Sequence, residues 1–236
     1  MQIFAFWDRK DRAPIEDFHD HWKSIFTNFK IYTDEEVVEM LYNRFPRYVK
    51  YYKNINIPAA KSDIARLVIL YEKGGLYIDC HCGCKNYEGL VSLLGELSVC
   101  SVSLVDNAMR GSNRPPGSLR IINSVIFSKA NQRFILLALI RALRNIRSQW
   151  NKQKCGDSFG YNIWSLTGPL LYHMLICDDF RLDSFSGFSY ENIRNKFKDI
   201  VIMEEASLPI SRNCFHGYRE PGQHWSERQK IEPLFK

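Results

Sequence analysis

A carboxylate and an imidazole stand two residues apart, at Asp79 and His81, just after the short apolar run that follows Gly74-Gly75. Alternate residues of an extended chain point to the same side, so we expect these two side chains to project together. Such a pair can hold a divalent cation and leave coordination positions for phosphate oxygens and water. The alternative interpretation is a turn-capping aspartate beside a polar histidine at the end of a strand.

A second polar pair, Asp63 and Arg66, falls on the helix predicted before that strand. The apolar spacing indicates a helix that starts near Ser62 or Asp63 and ends at Gly74-Gly75. Residues three apart share a helix face, so the pair could be an ordinary surface ion pair. A carboxylate and a planar guanidinium would also suit sugar hydroxyls, and the guanidinium a phosphate.

Three cysteines, Cys80, Cys82 and Cys84, surround His81 and raise the alternative of a zinc site. Structural zinc usually takes ligands in pairs about two to four residues apart, with a second pair downstream. The cysteines here are one residue apart and have no such second pair, so zinc is disfavoured. The chain has seven cysteines, an odd number without the spacing of a secreted scaffold, which predicts reduced thiols.

The elements that would position these residues alternate between strand and helix. This alternation predicts the α/β class with a mostly parallel central sheet flanked by helices. At 236 residues the chain is predicted to form one domain, 1–236, with 213–236 as a C-terminal segment near the site. The clearest elements are a first strand at Gln2–Trp7, a helix opened by the capping box of Thr33 and Glu36, a strand at Ile121–Ser128, a helix at Gln132–Trp150, a helix after the turn at Thr167-Gly168-Pro169 and a strand at Ile200–Met203.

Composition narrows the classes of partner. The formal net charge is +6 at pH 7, which favours acidic ligands such as nucleotides or phospholipid headgroups, but the basic residues form no nucleic-acid readout motif. No run approaches the roughly 18 apolar residues of a membrane-spanning helix. The first residues lack the features of a signal peptide. We expect a cytoplasmic protein, with peripheral contact at the inner face of a membrane left open.

The central stretch resembles the signature of glycosyltransferase family 32, the group with a sugar-binding region containing a DXD motif. The matching residues are Ala60, Lys61, Ser62, Asp63, Arg66, Leu70, Tyr71, Gly74, Gly75, Tyr77 and Asp79. The resemblance implies a GT-A fold, a nucleotide-sugar donor, a divalent cation and retention of anomeric configuration. The cation expected from it is Mn²⁺, with Mg²⁺ as the alternative. One position departs from the family pattern, because His81 replaces the second aspartate of the metal motif.

The resemblance also implies roles for individual residues. Asp63, Arg66 and Asp79 would form the catalytic set. The donor would contact Phe6, Trp7, Asp63, Arg66, Tyr77, Asp79, Trp225 and Ser226. The metal ligands would come from Asp79, His81, His216 and His224, where the last two cannot be ranked. An acceptor would meet Asn123, Thr167 and Gly168.

The function that follows from the resemblance is that of a hexosyltransferase. It would move a hexose or N-acetylhexosamine from a nucleotide sugar, expected to be UDP-linked, to a surface-polysaccharide or lipid-linked oligosaccharide acceptor such as those of bacterial capsule and lipopolysaccharide. Two alternatives remain: an effector that glycosylates a protein, and a module that binds nucleotide sugars without turnover. The missing second aspartate motivates the binding module.

Overall fold

The computed structural model describes residues 1–107, 120–156, 160–177, 197, 199–217 and 224–236. The strands of this part of the chain are β1 (Ile3–Phe6), β2 (Lys30–Tyr32), β3 (Gly75–Ile78), β4 (Gly83–Cys84), β5 (Val102–Asp106), β6 (Ile121–Ser128), β7 (Ile200–Glu204) and β8 (Ile210–Ser211). The helices are α1 (Glu16–Ile25), α2 (Asp34–Arg44), α3 (Val49–Lys53), α4 (Pro58–Lys73), α5 (Tyr87–Val99), α6 (Arg133–Lys154), α7 (Ile163–Leu166), α8 (Leu170–Cys177) and α9 (Trp225–Ile231).

Six strands form the central sheet, in the order β2-β1-β3-β6-β5-β7. Strands β1, β2 and β3 run parallel to one another, as do β5 and β7, while β6 is antiparallel to both of its neighbours. This confirms the predicted α/β class with a mostly parallel sheet. A separate two-stranded sheet pairs β4 with β8.

Side chains that alternate along each strand divide the core into two layers. Phe4, Phe6 and Tyr77 lie in one apolar cluster, which includes buried residues of α4 and α6. Ile3 and Leu76 lie in the other, which includes buried residues of α1 and α5. Both faces of the sheet are therefore covered, as expected for strands joined by helical crossovers.

The two glycines between α4 and β3 have no room for a side chain. Both have positive φ, +66° at Gly74 and +113° at Gly75, and an added Cβ would lie 2.6 Å from the backbone nitrogen of Ala130 or from the carbonyl oxygen of Gln2, respectively. Only glycine adopts such a conformation so close to another backbone without strain. This turn fixes where β3 begins, and hence where Asp79 emerges.

One predicted helix boundary was wrong. Helix α4 begins at Pro58 rather than near Ser62 or Asp63, because proline is tolerated in a first helical turn, where its missing N–H is not needed. As a result Asp63 and Arg66 lie in the helix interior, where both are buried. The capping box was correct, since Thr33 and Glu36 each accept a hydrogen bond from the other's backbone N–H.

The antiparallel strand β6 brings distant polar groups to the carboxyl end of β3. Ile78 pairs with Val125, and just beyond them the Asp79 N–H donates to the Ser124 carbonyl over 2.8 Å. Asn123 on β6 therefore comes close to Asp79. The sheet thus gathers residues from widely separated parts of the sequence at one edge.

Candidate functional site: a buried carboxylate and guanidinium network beside a large cavity

Arg66 lies between two carboxylates. Its Nη2 atom is 3.2 Å from Asp63 Oδ1 and 3.3 Å from Asp79 Oδ1. The same guanidinium donates to Ser62 Oγ over 3.0 Å and to the Asn123 carbonyl. Arg66 is 3% exposed and Asp63 6% exposed, so this is a buried network and not the surface ion pair that the spacing alone would allow.

Both oxygens of Asp63 are held by side chains from other elements. Asn123 Nδ2 donates to Oδ1 over 2.7 Å, and Thr167 Oγ1 donates to Oδ2 over 3.0 Å. A carboxylate offers about four acceptor positions. These two donors and Arg66 use three of them, which leaves a position that can accept a hydroxyl from the cavity.

Burial dominates the proton affinity of Asp63. It raises the pKa of this carboxyl from 3.8 to about 6, although Arg66 and the hydrogen bonds from Thr167 and Asn123 act to lower it. For Arg66, burial alone would lower the pKa, but the charges of Asp79 and Asp63 raise it above its usual range. The arginine therefore stays charged at any pH at which the protein is folded.

Thr167 was predicted to contact an acceptor, yet it is 1% exposed and its hydroxyl faces Asp63. Gly168 allows this close packing, because a Cβ there would lie 3.0 Å from the Ile163 carbonyl oxygen. Neither residue lines the cavity described below. The structure therefore gives both a supporting position behind Asp63.

Replacing Thr167 by valine tests this supporting position. We expect Thr167→Val to lower the free energy of unfolding by about 1–3 kcal/mol, because the buried Asp63 oxygen loses its donor. Loss of that donor also removes an interaction that lowers the Asp63 pKa, so this pKa should rise. Urea denaturation measures the first effect, and ¹³C NMR titration of the Asp63 carboxyl measures the second. Thr167→Ser keeps the hydroxyl and should change neither appreciably; equal losses in both variants would contradict the hydrogen-bonding role.

Asp79 faces the network from the end of β3. Tyr77 donates its hydroxyl hydrogen to Asp79 Oδ1 over 2.5 Å, and the same hydroxyl is 3.2 Å from Ser62 Oγ. Burial raises the pKa of Tyr77 well above its usual range, so the phenol remains a donor. The Asp79 side chain is 20% exposed, which leaves part of its carboxylate open to the cavity.

The segment after Asp79 is not an extension of the strand, which corrects the reason for expecting Asp79 and His81 to project together. β3 ends at Ile78, and the Cys82 N–H donates to the Asp79 carbonyl over 2.9 Å, which closes a turn. The chain then enters β4, which pairs with β8 far along the sequence. His81 still reaches the cavity, but through this turn.

Two cysteines of this turn, Cys80 and Cys82, are buried protonated thiols. Burial raises the pKa of both thiols, which keeps them protonated. Among the described residues no group of three or more His, Cys, Asp or Glu side chains could hold a metal ion on its own. The disfavoured zinc interpretation gains no support.

The two C-terminal histidines differ in position. His216 lies against His81, with nearly parallel rings whose centroids are 6.5 Å apart. His224 lines the cavity, and its Nδ1 atom is 2.6 Å from Ser226 Oγ at the start of α9. His224 is therefore hydrogen-bonded to Ser226, whereas the ring of His216 lies beside that of His81. Residues 218–223 of the predicted C-terminal segment lie outside the described residues.

Phe6 and Trp7, predicted to contact a nucleotide base, both line the cavity from the end of β1. Phe6 packs in the core layer that includes α4 and α6, and Trp7 packs in the layer that includes α1 and α5. Trp7 is 9% exposed, and its indole N–H donates to the Asp11 carbonyl over 2.8 Å. The guanidinium carbon of Arg9 lies 5.6 Å from its ring centroid. The indole is therefore held in place, and stacking on a base stays a prediction.

The cavity that Asp63, Arg66 and Asp79 line has a volume of about 910 Å³, a size typical of sites for small organic ligands. Its charged lining consists of six basic and four acidic side chains: Arg9, Arg66, Lys85, Arg120, Arg212, Arg228, Asp8, Asp63, Asp79 and Glu205. The net formal charge of +2 favours an anionic ligand. Tyr77, Asn123 and Trp225, which the sequence also singled out, are part of the lining.

Sequence reasoning missed several residues of this cavity. Arg120 and Trp164 line it, and the guanidinium carbon of Arg120 lies 5.4 Å from the Trp164 ring centroid. Ser62, which contacts both Arg66 and Tyr77, is part of the matching signature and a predicted helix start, but no role in the site was predicted for it. The position of Ser62 next to Asp63 could have indicated that Ser62 belongs to the site. No local sequence pattern indicates this for Arg120 or Trp164.

Residues 10–87 match the family described as "Glycosyltransferase sugar-binding region containing DXD motif". This range contains Asp63, Arg66 and Asp79. The class of protein that this match and the curated relatives support is a glycosyltransferase, as the sequence resemblance implied. The match covers a third of the chain, and it says nothing of the donor, the metal or the acceptor.

Two curated yeast proteins are similar to the chain. Inositol phosphoceramide mannosyltransferase 3 of Schizosaccharomyces pombe is 24% identical over 151 residues, which cover 61% of this chain and 42% of that protein. Mannosyl phosphorylinositol ceramide synthase CSH1 of Saccharomyces cerevisiae is 28% identical over 124 residues, which cover 52% of this chain and 32% of that protein. The chain thus spans less than half the length of these relatives. The expected bacterial setting has no counterpart in them.

Solved structures show a fainter likeness. The UDP-bound glycosyltransferase domain of the YGT toxin has a TM-score of 0.47 and 14% identity, over 89% of this chain and 58% of that one. The PaToxG glycosyltransferase has a TM-score of 0.40 and 13% identity, over 76% of this chain and 68% of that one.

Within the described residues, no helix is long and apolar enough to cross a membrane.

Proposed function

We propose that this chain is a glycosyltransferase with a GT-A fold, which moves a hexose from a nucleotide sugar to an acceptor with retention of configuration. The observation that supports this proposal is the buried network of Asp63, Arg66 and Asp79 at the carboxyl end of β3, beside a cavity with positive net charge. Ligands of α/β proteins bind at that end of the strands. The names of the two relatives favour mannose as the sugar.

In the proposed complex, each part of the network has its own task. The open acceptor position of Asp63 takes a sugar hydroxyl, and Arg66 holds Asp63 and Asp79 in fixed positions. Tyr77 orients the Asp79 carboxylate through its hydroxyl. Because these groups are held before the ligand binds, little reorganisation is required as charge develops on the departing diphosphate.

A divalent cation fits the donor set of this site. Asp79 and His81 both reach the cavity, and an anionic diphosphate close to the carboxylates of Asp63 and Asp79 requires a compensating charge. The described residues supply too few ligands for a closed metal site, a situation typical of cations whose coordination is completed by substrate phosphates. Asp79 and His81 would hold the ion, and when bound it would stabilise the negative charge of the leaving group.

The proposed acceptor is a saccharide or a lipid-linked saccharide. The two relatives carry inositol phosphoceramide in their names, which makes a glycolipid headgroup the first acceptor to examine, ahead of the polysaccharides of a bacterial surface. Asn123, predicted to contact the acceptor, lines the cavity but donates its side-chain amide to Asp63. A direct acceptor contact of Asn123 would therefore use its remaining polar atoms.

The Asp63 pKa of about 6 predicts opposite pH dependences for activity and stability. We expect transfer to fall as the pH drops below about 6, because protonated Asp63 is a weaker acceptor for a sugar hydroxyl and loses its charge beside Arg66. A carboxyl whose pKa is raised on folding contributes stability below its unfolded value of 3.8, and that contribution is lost as the pH rises to about 6. Asp63 therefore does not cause unfolding at acid pH. Measuring kcat/KM and the melting temperature at each pH separates the effect on activity from the effect on stability. If the loss of activity at acid pH followed unfolding of the protein, Asp63 would not be the group responsible.

A donor screen tests the proposed function. Purified protein is incubated with each common UDP- and GDP-sugar and Mn²⁺, and release of free nucleoside diphosphate is followed, with EDTA as the metal-free control. We expect release from one donor, with the mannose donor first among the candidates, and loss of release in EDTA. Release that persists in EDTA would overturn the metal dependence alone.

Absence of release separates the remaining alternatives. If no donor is cleaved but UDP or GDP with Mn²⁺ raises the melting temperature, the module that binds nucleotide sugars without turnover replaces the proposed enzyme. If neither nucleotide binds, the proposed function is wrong.

A further inference from the structure

The strand order separates two ends of the cavity. β1 and β6 lie on opposite sides of β3. Trp7 follows β1, and Arg120 immediately precedes β6, which runs antiparallel to β3. Trp7 and Arg120 therefore lie on opposite sides of Asp79. If the donor's base lies towards Trp7, as the resemblance implies, and its diphosphate at Asp79, as the proposed function has it, the end near Arg120 is left for a second substrate.

That second end carries two indoles and a guanidinium. The ring centroids of Trp164 and Trp225 are 6.4 Å apart, with an angle of 39° between the rings. The guanidinium carbon of Arg120 is 5.4 Å from the Trp164 centroid. All three residues line the cavity and are partly exposed. Three different segments of the chain thus meet there.

The position of Trp164 is tied to the reacting end of the donor. The short helix that carries it ends one residue before Thr167, whose hydroxyl donates to Asp63. The turn at Gly168 packs against Trp164, because a Cβ at Gly168 would lie 3.1 Å from the Trp164 Cα. The backbone of Trp164 is thereby held near the carboxylate that is proposed to bind the donor's sugar.

We propose that Trp164, Trp225 and Arg120 form an acceptor subsite for a sugar or polyol ring that carries an anionic group, which reassigns Trp225 from the donor contacts that the resemblance implied. The apolar C–H face of such a ring packs on an indole, which offers a large and rigid surface. The planar guanidinium of Arg120 binds the phosphate or carboxylate of the acceptor in a bidentate manner. The hydroxyl to be glycosylated then faces Asp63 across the cavity.

A lysine beside a tryptophan outside the cavity supplies a matched control for Arg120 beside Trp164. The ammonium nitrogen of Lys154 lies 5.0 Å from the Trp150 ring centroid, and neither residue lines the cavity. Lys154→Gln therefore removes a cation beside an indole without altering the proposed subsite.

The test measures direct binding of three probes to the full chain by ligand-observed NMR: glucose, glucose 6-phosphate and glucuronate. We expect the two anionic probes to bind about tenfold more tightly than glucose, and the tighter of the two tells whether phosphate or carboxylate is preferred. Arg120→Gln should abolish that preference. Trp164→Ala should weaken all three probes by about tenfold, Trp164→Phe should weaken them less, and Lys154→Gln should behave as the unmodified chain. Far-UV circular dichroism and thermal melting verify that each variant is folded.

Three results would overturn the subsite: no binding of any probe, no preference for the anionic probes, or unchanged binding in folded Trp164→Ala. A separate titration with UDP and GDP keeps the two proposals distinct. Nucleotide binding without probe binding removes the subsite and leaves the proposed function, while probe binding without nucleotide binding removes the proposed function and leaves a site for anionic sugars.

Discussion

Replacing Asp79 by asparagine is expected to reduce transfer by at least about 100-fold while the protein stays folded. The amide has nearly the same shape as the carboxylate and can still accept a hydrogen bond from Tyr77. It lacks the charge that attracts the Arg66 guanidinium, 3.3 Å away, and that would hold a cation beside the leaving diphosphate. The measurement is the initial rate of nucleoside diphosphate release with the donor identified in the screen.

Asp20 provides a control for Asp79. It is an exposed aspartate whose carboxylate lies 3.1 Å from His19 Nδ1, and it does not line the cavity. We expect Asp20→Asn to leave the rate unchanged. A folded Asp79→Asn protein that retains the full rate would show that Asp79 has no part in the reaction.

Removing the charge of Arg66 is expected to have the largest effect on stability. Arg66→Met leaves the carboxylates of Asp63 and Asp79 facing each other in a buried site. Loss of one partner from a buried charge network costs about 3–5 kcal/mol of the free energy of unfolding, a large part of the roughly 5–15 kcal/mol that holds a domain together. Urea denaturation at neutral pH measures this loss, and the loss should shrink at acid pH as Asp63 becomes protonated.

Two further variants keep this prediction testable. Arg44 is a control, because its Nε atom lies 3.1 Å from Glu72 in a pair whose arginine side chain is 53% exposed; Arg44→Met should cost about 1 kcal/mol or less. Arg66→Lys keeps the charge but loses the planar fork, so it should be more stable than Arg66→Met and still impaired in transfer. Equal losses for Arg44→Met and Arg66→Met would contradict the central place of Arg66.

The parts of the site predicted from sequence are those with a local signature. Asp63, Arg66 and Asp79 fall within one helix-turn-strand unit, and their spacing, together with the two glycines, carried the resemblance. The alternation of strands and helices was also predicted from the spacing of apolar residues. The predicted start of α4 near Ser62 or Asp63 differs from the observed one, although Pro58 marks it, because these polar residues resemble those that open a helix.

The remaining features depend on contacts that no local pattern encodes. Thr167 is 104 residues from Asp63 in the sequence, and Asn123 is 60 residues away, yet both fix the same carboxylate. The sequence predicted a continued strand after Asp79, but the chain turns there. The geometry of this turn depends on the pairing of β4 with the distant β8, which no local pattern indicates. Trp164 and Arg120 are 44 residues apart in the sequence and come together only in the tertiary fold.

The central claim is that Asp63, Arg66 and Asp79 hold a nucleotide-sugar donor. A crystal structure with Mn²⁺ and a non-hydrolysable analogue of the donor found in the screen tests it most directly. We predict sugar hydroxyls within hydrogen-bonding distance of Asp63, the base against Trp7, and anomalous scattering from Mn²⁺ between Asp79 and the diphosphate. A donor bound elsewhere, or one whose diphosphate lies away from Asp79, would contradict the account.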